Sequence, residues 1–110
     1  MLRLSGLDNF YYLPMLHDMR YKGPRLSEII RNTYHRDPLN GDIYIYVSRD
    51  RRTIRLFQYK HHAYELHERT FSNEYRFKKV VLRDGIPTYK MDWKTVMVVL
   101  KSPVIKQIRI

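Results

Sequence analysis

The sequence predicts an α+β fold: a single domain in which an antiparallel meander of about five strands carries a helix near each end, both packed on one face. Three observations predict it. Asp42-Ile43-Tyr44-Ile45-Tyr46-Val47 alternates β-branched and aromatic residues, as a strand with two covered faces does. Leu26, Ile29, Ile30, Thr33 and Tyr34 recur at three- and four-residue spacings behind Gly23-Pro24, the stripe of an amphipathic helix. Trp93, Val96, Met97 and Leu100 repeat that stripe at i, i+3, i+4 and i+7 behind Asp92.

The elements follow in order. Phe10-Tyr11-Tyr12-Leu13 is an aromatic run stopped by Pro14, a short strand. Gly23-Pro24 opens the first helix, because proline suits the first helical position, and the helix is expected to end near Arg36. Asp37-Pro38-Leu39-Asn40-Gly41 is dense in turn formers and feeds the strand over 42–47. Arg49-Asp50-Arg51-Arg52 reads as the tip of a hairpin leading into Thr53 through Lys60. On that return strand Ile54 and Leu56 point one way while Arg51, Thr53, Arg55, Phe57 and Tyr59 point the other. Ala63 to Phe71 and Tyr75 to Leu82 read as two more strands around Ser72-Asn73-Glu74, with a further tight turn at Arg83-Asp84-Gly85. Asp92 is a good N-cap for the second helix, Ser102-Pro103 stops it, and Val104 to Ile110 alternates as a final edge strand or ordered tail.

Charge is the strongest compositional signal. Lys+Arg number 21 against 11 Asp+Glu, a formal +10 on 110 residues, with ten tyrosines among the cations. Self-repulsion opposes compaction, so this imbalance points to an anionic partner, nucleic acid first. At 44% hydrophobic the chain supports one domain over 1–110, with no repeat or linker inside it. It has no cysteine, which excludes disulfides, thiolate metal sites and cysteine nucleophiles and agrees with a reducing compartment. The first residues build no apolar signal run, and Val96-Met97-Val98-Val99-Leu100 is far short of the ~20 residues that span a bilayer. A cytoplasmic protein without membrane contact is expected.

The candidate binding residues are cations. Arg49, Arg51, Arg52, Arg55 and Lys60 crowd the hairpin, with one acid, Asp50. A two-stranded ribbon can enter a major groove or lie along the backbone, where guanidinium groups make paired hydrogen bonds to phosphates or guanine edges. The competing reading is a solvated edge whose charges discourage strand-to-strand aggregation. Phe57 and Tyr59 either stack on unpaired bases or lie in the core under a helix. A second cluster, Arg76, Lys78, Lys79 and Arg83, and a third, Arg20, Lys22 and Arg25, would extend the footprint if they share its face. Adjacent His61 and His62 on a strand would point to opposite faces, so they make a poor metal site. Asp84 with Asp92-Trp93-Lys94 matches the acid, then acid-x-lysine order of metal-dependent nucleases only loosely, and Asp92 is better explained as a helix cap. No glycine-rich phosphate loop, nucleophile elbow or histidine-acid-acid-histidine helix motif is present, so no active site and no cofactor is expected.

Asp18-Met19-Arg20 followed by Gly23 and Leu26, then Asp37-Pro38, Gly41, Ile43-Tyr44-Ile45-Tyr46 and Ile54-Arg55-Leu56, carry a resemblance. Together they resemble the small accessory protein of the "sixty-six" family of bacterial insertion sequences, the product of its second open reading frame, labelled TnpB or Orf2-like. The resemblance runs from about Tyr12 to Leu100. It implies participation in transposition beside a separate, larger transposase that carries the acidic catalytic residues, and it brings no catalytic residue to this chain. Asp18, Met19, Arg20, Gly23, Asp37, Pro38, Gly41 and Arg55 occupy family-typical positions. Gln58 and Ala63 stand about where the family commonly has tryptophan and glycine, and the later Leu-x-x-Gly-x-Phe pattern is blurred through Phe71 to Phe77, which marks a diverged branch.

The expectation is therefore a non-catalytic transposition accessory that binds DNA, at the element ends, or the transposase, or both, through the hairpin face with Arg20 nearby, and takes no small-molecule substrate. The alternative from another class is a small basic ribonuclease of the ribosome-dependent toxin type, using Arg, Lys, His and Tyr in place of a metal. A third reading is an adaptor whose charge meets an acidic protein surface.

Overall fold

The computed structural model describes residues 8–72, 75–77, 87–101 and 104–105, the last two by their backbone alone. Its elements are β1 (Phe10–Tyr12), α1 (Gly23–Asn32), β2 (Ile43–Val47), β3 (Thr53–Lys60), β4 (Ala63–Thr70), β5 (Tyr75–Arg76), β6 (Tyr89–Met91), α2 (Trp93–Lys101) and β7 (Val104–Ile105). Five strands form one sheet in the order β4-β3-β2-β1-β6, and β5 pairs with β7 in a separate two-stranded ladder. The class is α+β.

The meander holds from β2 to β4, with Tyr44 opposite Phe57 and Phe57 opposite Leu66. It does not include β1. That strand runs parallel to β2, Phe10 beside Ile43, because α1 lies between them in sequence and carries the chain back across the sheet. On its other side β1 pairs antiparallel with β6.

The two helices occupy opposite faces, where one shared face was expected. β2 is buried along its whole length, so both faces of the sheet need cover, and one helix supplies each. Ile43, Ile45, Val47, Ile54 and Leu56 cluster with Val96, Val99 and Leu100 of α2. Tyr44, Tyr46 and Phe57 cluster with Leu26 and Ile30 of α1.

Local chemistry sets the boundaries. α1 begins with proline in its first turn and stops at Asn32, short of the expected Arg36. His35 adopts φ 54°, and Arg36 leaves the helix to lie 3.7 Å over the Tyr11 ring, donating from Nε to the Tyr44 hydroxyl and from Nη2 to Asp42. α2 is capped by Asp92, whose Oδ1 accepts the Thr95 N–H at 2.7 Å, and that bond lowers the pKa of the carboxyl. The stop expected at 102–103 lies outside the described residues.

Beyond β4 the chain departs from the expected strand over 75–82. The Phe71 N–H donates to the Arg52 carbonyl and the Phe77 N–H to that of Arg51, each at 2.8 Å, so the backbone wraps the tip of the β2–β3 hairpin instead of pairing along β4. The Phe71 and Phe77 rings meet at 4.2 Å against the α2-side core. β5 then pairs with β7, which accordingly is no edge of the main sheet. Residues 78–86, with the expected turn at Arg83-Asp84-Gly85, lie outside the described residues.

Candidate nucleic-acid interface

Two segments distant in sequence form the walls of one groove. The first is the connection between β1 and α1. Leu13 donates its N–H to the Ile45 carbonyl, Leu13 and Leu16 are buried, and His17 donates from Nδ1 to the Val47 carbonyl at 2.9 Å. These anchors fix the backbone from which Asp18, Met19 and Arg20 project.

Asp18 is the organiser of that motif. Its Oδ1 accepts the Arg20 backbone N–H at 2.9 Å and Arg20 Nε at 3.0 Å, while Oδ2 accepts Nη2 at 2.7 Å. The guanidinium bonds and the backbone bond hold the Asp18 carboxyl down to about 2. Arg20 nevertheless keeps 88% of its side chain exposed, so Asp18 aims a solvated cation and does not bury it.

The second wall is the hairpin tip. Asp50 Oδ1 accepts from Ser48 Oγ at 2.7 Å and from the Arg52 N–H at 3.0 Å, the Ser48 hydroxyl bond being the first cause of its lowered pKa. Ser48 Oγ in turn accepts the Thr53 N–H. Arg51 sits at φ 59°, a left-handed position that closes the turn. Arg49 is left exposed at the tip.

Between the walls is an open groove of about 670 Å³, lined by 15–21 and 48–50. It brings Arg20 and Arg49 onto one surface, with Met15 76% exposed beside them.

The remaining cations are dispersed. Arg51 and Arg52 are half-buried at the tip, and Arg52 donates from Nη2 to the Phe71 carbonyl. Lys60 is exposed, but at the far end of β3, roughly 25 Å of strand away from the tip at the usual rise. Arg76 is half-buried in the small ladder and donates to the Tyr75 carbonyl. Lys78 and Lys79, with Arg83, lie outside the described residues. Lys22 and Arg25 are exposed at the start of α1, Arg25 paired with Glu28 at 2.9 Å.

Arg55 serves the interior. Only 12% of its side chain is exposed, and it donates to the Tyr21 carbonyl, to the Tyr46 hydroxyl at 2.9 Å and to Glu68 at 3.0 Å. It ties the β1–α1 connection to the sheet and so supports the groove from behind. Phe57 is fully buried under α1, and Tyr59 packs edge-on against Tyr64 at 5.1 Å. His61 and His62 form the β3–β4 turn, both with positive φ. No group of three or more His, Cys, Asp or Glu capable of holding a metal occurs among the described residues.

The other family-typical positions serve local structure. Asp37 accepts the Leu39 N–H, Gly41 takes φ 92°, and the buried Gln58 amide donates to the Gly41 carbonyl at 2.9 Å. Sequence reasoning missed the Asp18–Arg20 clamp, although an acid two residues before an arginine signals one, and it missed Tyr21 and Tyr46 as partners of Arg55, which no local spacing reveals.

No helix among the described residues is long and apolar enough to cross a membrane. No curated protein and no solved structure matches the chain. The family model described as IS66 Orf2 like protein matches residues 8–109, nearly the whole length, taking in both walls of the groove. The chain therefore belongs to the IS66 Orf2-like family, with the insertion-sequence accessory role that membership carries.

Proposed function

We propose that this accessory protein is non-catalytic and binds the phosphate backbone of duplex DNA at the ends of its element, across the groove between Asp18-Met19-Arg20 and the β2–β3 tip. The observation that carries the reading is the convergence of Arg20 and Arg49, both exposed, from segments far apart in sequence onto one surface of a strongly cationic chain. The two acids in the groove are engaged internally, Asp18 by Arg20 and Asp50 by Ser48 and the Arg52 N–H. The groove carries no side-chain amide, and its Ser48 hydroxyl is taken up by Asp50 and the Thr53 N–H, which favours phosphate contacts from the two guanidinium groups over base reading.

Fluorescence anisotropy at two salt concentrations, with duplexes from the element ends and shuffled duplexes of equal length, tests this. Arg20→Ala and Arg49→Ala are each expected to weaken binding and to reduce the salt slope by roughly one. Unchanged affinity in both would remove the groove from DNA binding. A second reading, docking of the transposase in the same groove, is favoured by Met15, an exposed apolar side chain of the adaptable kind found at protein-binding surfaces. Binding of purified transposase that Met15→Asp abolishes, without saturable DNA binding, would establish it. Growth arrest on expression would support the ribonuclease alternative.

A further inference from the structure

The two edges of the main sheet are unlike. β6 offers three residues, whereas β4 offers eight, Ala63–Thr70, all exposed but the half-buried Glu65 and Leu66. β4 pairs with β3 in unbroken register from Thr53–Thr70 to Lys60–Ala63, so no bulge twists it away, and it contains neither proline nor glycine. Among the described residues no strand pairs with its outer side. A long, regular edge of this kind is a template for another strand unless its charges forbid pairing.

Its charges select a partner. We propose that β4 is the contact through which two copies of this chain join, antiparallel about a two-fold axis perpendicular to the sheet. That symmetry sets residues of the same face opposite one another, so successive registers differ by two in the sum of paired residue numbers. With His67 opposite its own counterpart, Glu65 stands against Arg69 of the second copy and Arg69 against its Glu65, while Tyr64 meets Thr70. The neighbouring registers lose this. Placing Leu66 on the axis sets Glu65 against His67, and placing Glu68 there sets two carboxylates together. A second copy is favoured over a foreign strand because the complementarity is to the strand itself.

Arg69 is already steadied for the contact. It lies 5.1 Å over the Phe71 ring and donates from Nη1 to the Leu100 carbonyl at 3.0 Å, which restrains the side chain on the α2 face where Glu65 also projects. Glu68, on the opposite face, is held by Arg55. The contact is independent of what the groove binds.

Sedimentation velocity of the full chain over a range of concentrations, at low salt, tests the inference. The unaltered protein is expected to dimerise reversibly. Glu65→Arg and Arg69→Glu each turn both ion pairs into like-charge pairs, and each should raise the dimer dissociation constant on the order of tenfold or more. Mixed in equal amounts, the two variants should dimerise again, because Arg at 65 then faces Glu at 69 in one pair while the other pair is native. The double variant should also recover. Glu65→Gln and Arg69→Gln, which remove charge without reversing it and leave the fold intact by circular dichroism, should weaken the dimer by less. A monomer at every concentration, a dimer indifferent to both reversals, or a mixture that stays monomeric would overturn the proposal.

Discussion

The backbone of Gly23 lies against the ring of Tyr64: a Cβ placed on this glycine would come within 2.6 Å of both Cβ and Cγ of the tyrosine. The first turn of α1 is thereby pressed onto β4, and the glycine is required by close approach, since its φ lies outside the left-handed region. Gly23→Ala should destabilise the fold by about 1–3 kcal/mol. Urea unfolding checks this, and a Gly23→Ala/Tyr64→Gly pair should lose less stability than the two changes summed, since removing Cβ and Cγ of residue 64 relieves the clash that the added methyl creates.

Arg55→Ala should cost stability and weaken DNA binding only slightly, through loss of its hold on Tyr21, and far less than Arg20→Ala does. The change strips the Tyr46 hydroxyl and the Tyr21 carbonyl of a charged donor and leaves Glu68 unpaired, a loss of about 2–3 kcal/mol for hydrogen bonds to a charged group. Chemical denaturation reads the first effect and anisotropy at a temperature where the variant is folded reads the second. A large affinity loss in the folded variant would place Arg55 in the interface instead.

The Asp18–Arg20 pair has a pH signature. Because the folded-state value of Asp18 is about 2, below its ordinary 3.8, the pair's contribution is fully present above the ordinary value and is lost as pH falls through the folded one. Carboxyl carbon NMR should show Asp18 titrating near 2 in the unaltered protein. In Arg20→Ala the midpoint should move up, with the backbone N–H of residue 20 retaining part of the depression.

The β3–β4 turn is open to improvement. His61 and His62 take φ 52° and 62°, left-handed values at both central positions of a two-residue turn, which asparagine and glycine adopt with less strain. Replacing His61 by Asn and His62 by Gly together should raise stability by about 1 kcal/mol, or roughly 4–8 °C in Tm. Differential scanning calorimetry reads it directly.

Much of this architecture was legible locally. The alternation in 43–47 announced a strand covered on both sides, the two faces of 53–60 sort as the two-residue period requires, and Asp92 caps its helix. What was hidden depends on partners remote in sequence. Nothing near Phe10 states that β1 will run parallel to β2, and nothing near Arg55 names Tyr21 or Tyr46. The hairpin looked like one basic ribbon because Arg49 and Lys60 are close in number, yet the length of β3 holds them apart and the burial of Arg55 removes the link between them. The face that α2 covers is hidden for a similar reason, since a stripe tells that a helix docks and not where.

The central place of β1 has a consequence for the order of assembly. β1 leaves the start of the chain to fill a slot whose far wall, β6, comes from residues 89–91, so the slot is completed late in synthesis. Until then Phe10 and Tyr12 have only β2 beside them, and the face that receives α2 stands bare, with Ile43, Ile45, Ile54 and Leu56 on it. The hairpins β2–β3 and β3–β4 form from near neighbours and can be ready first, whereas closure over β1 waits on the longest-range contacts in the sheet. An interrupted chain would display that uncovered apolar face, and the same contacts that finish the fold are the ones whose delay invites aggregation.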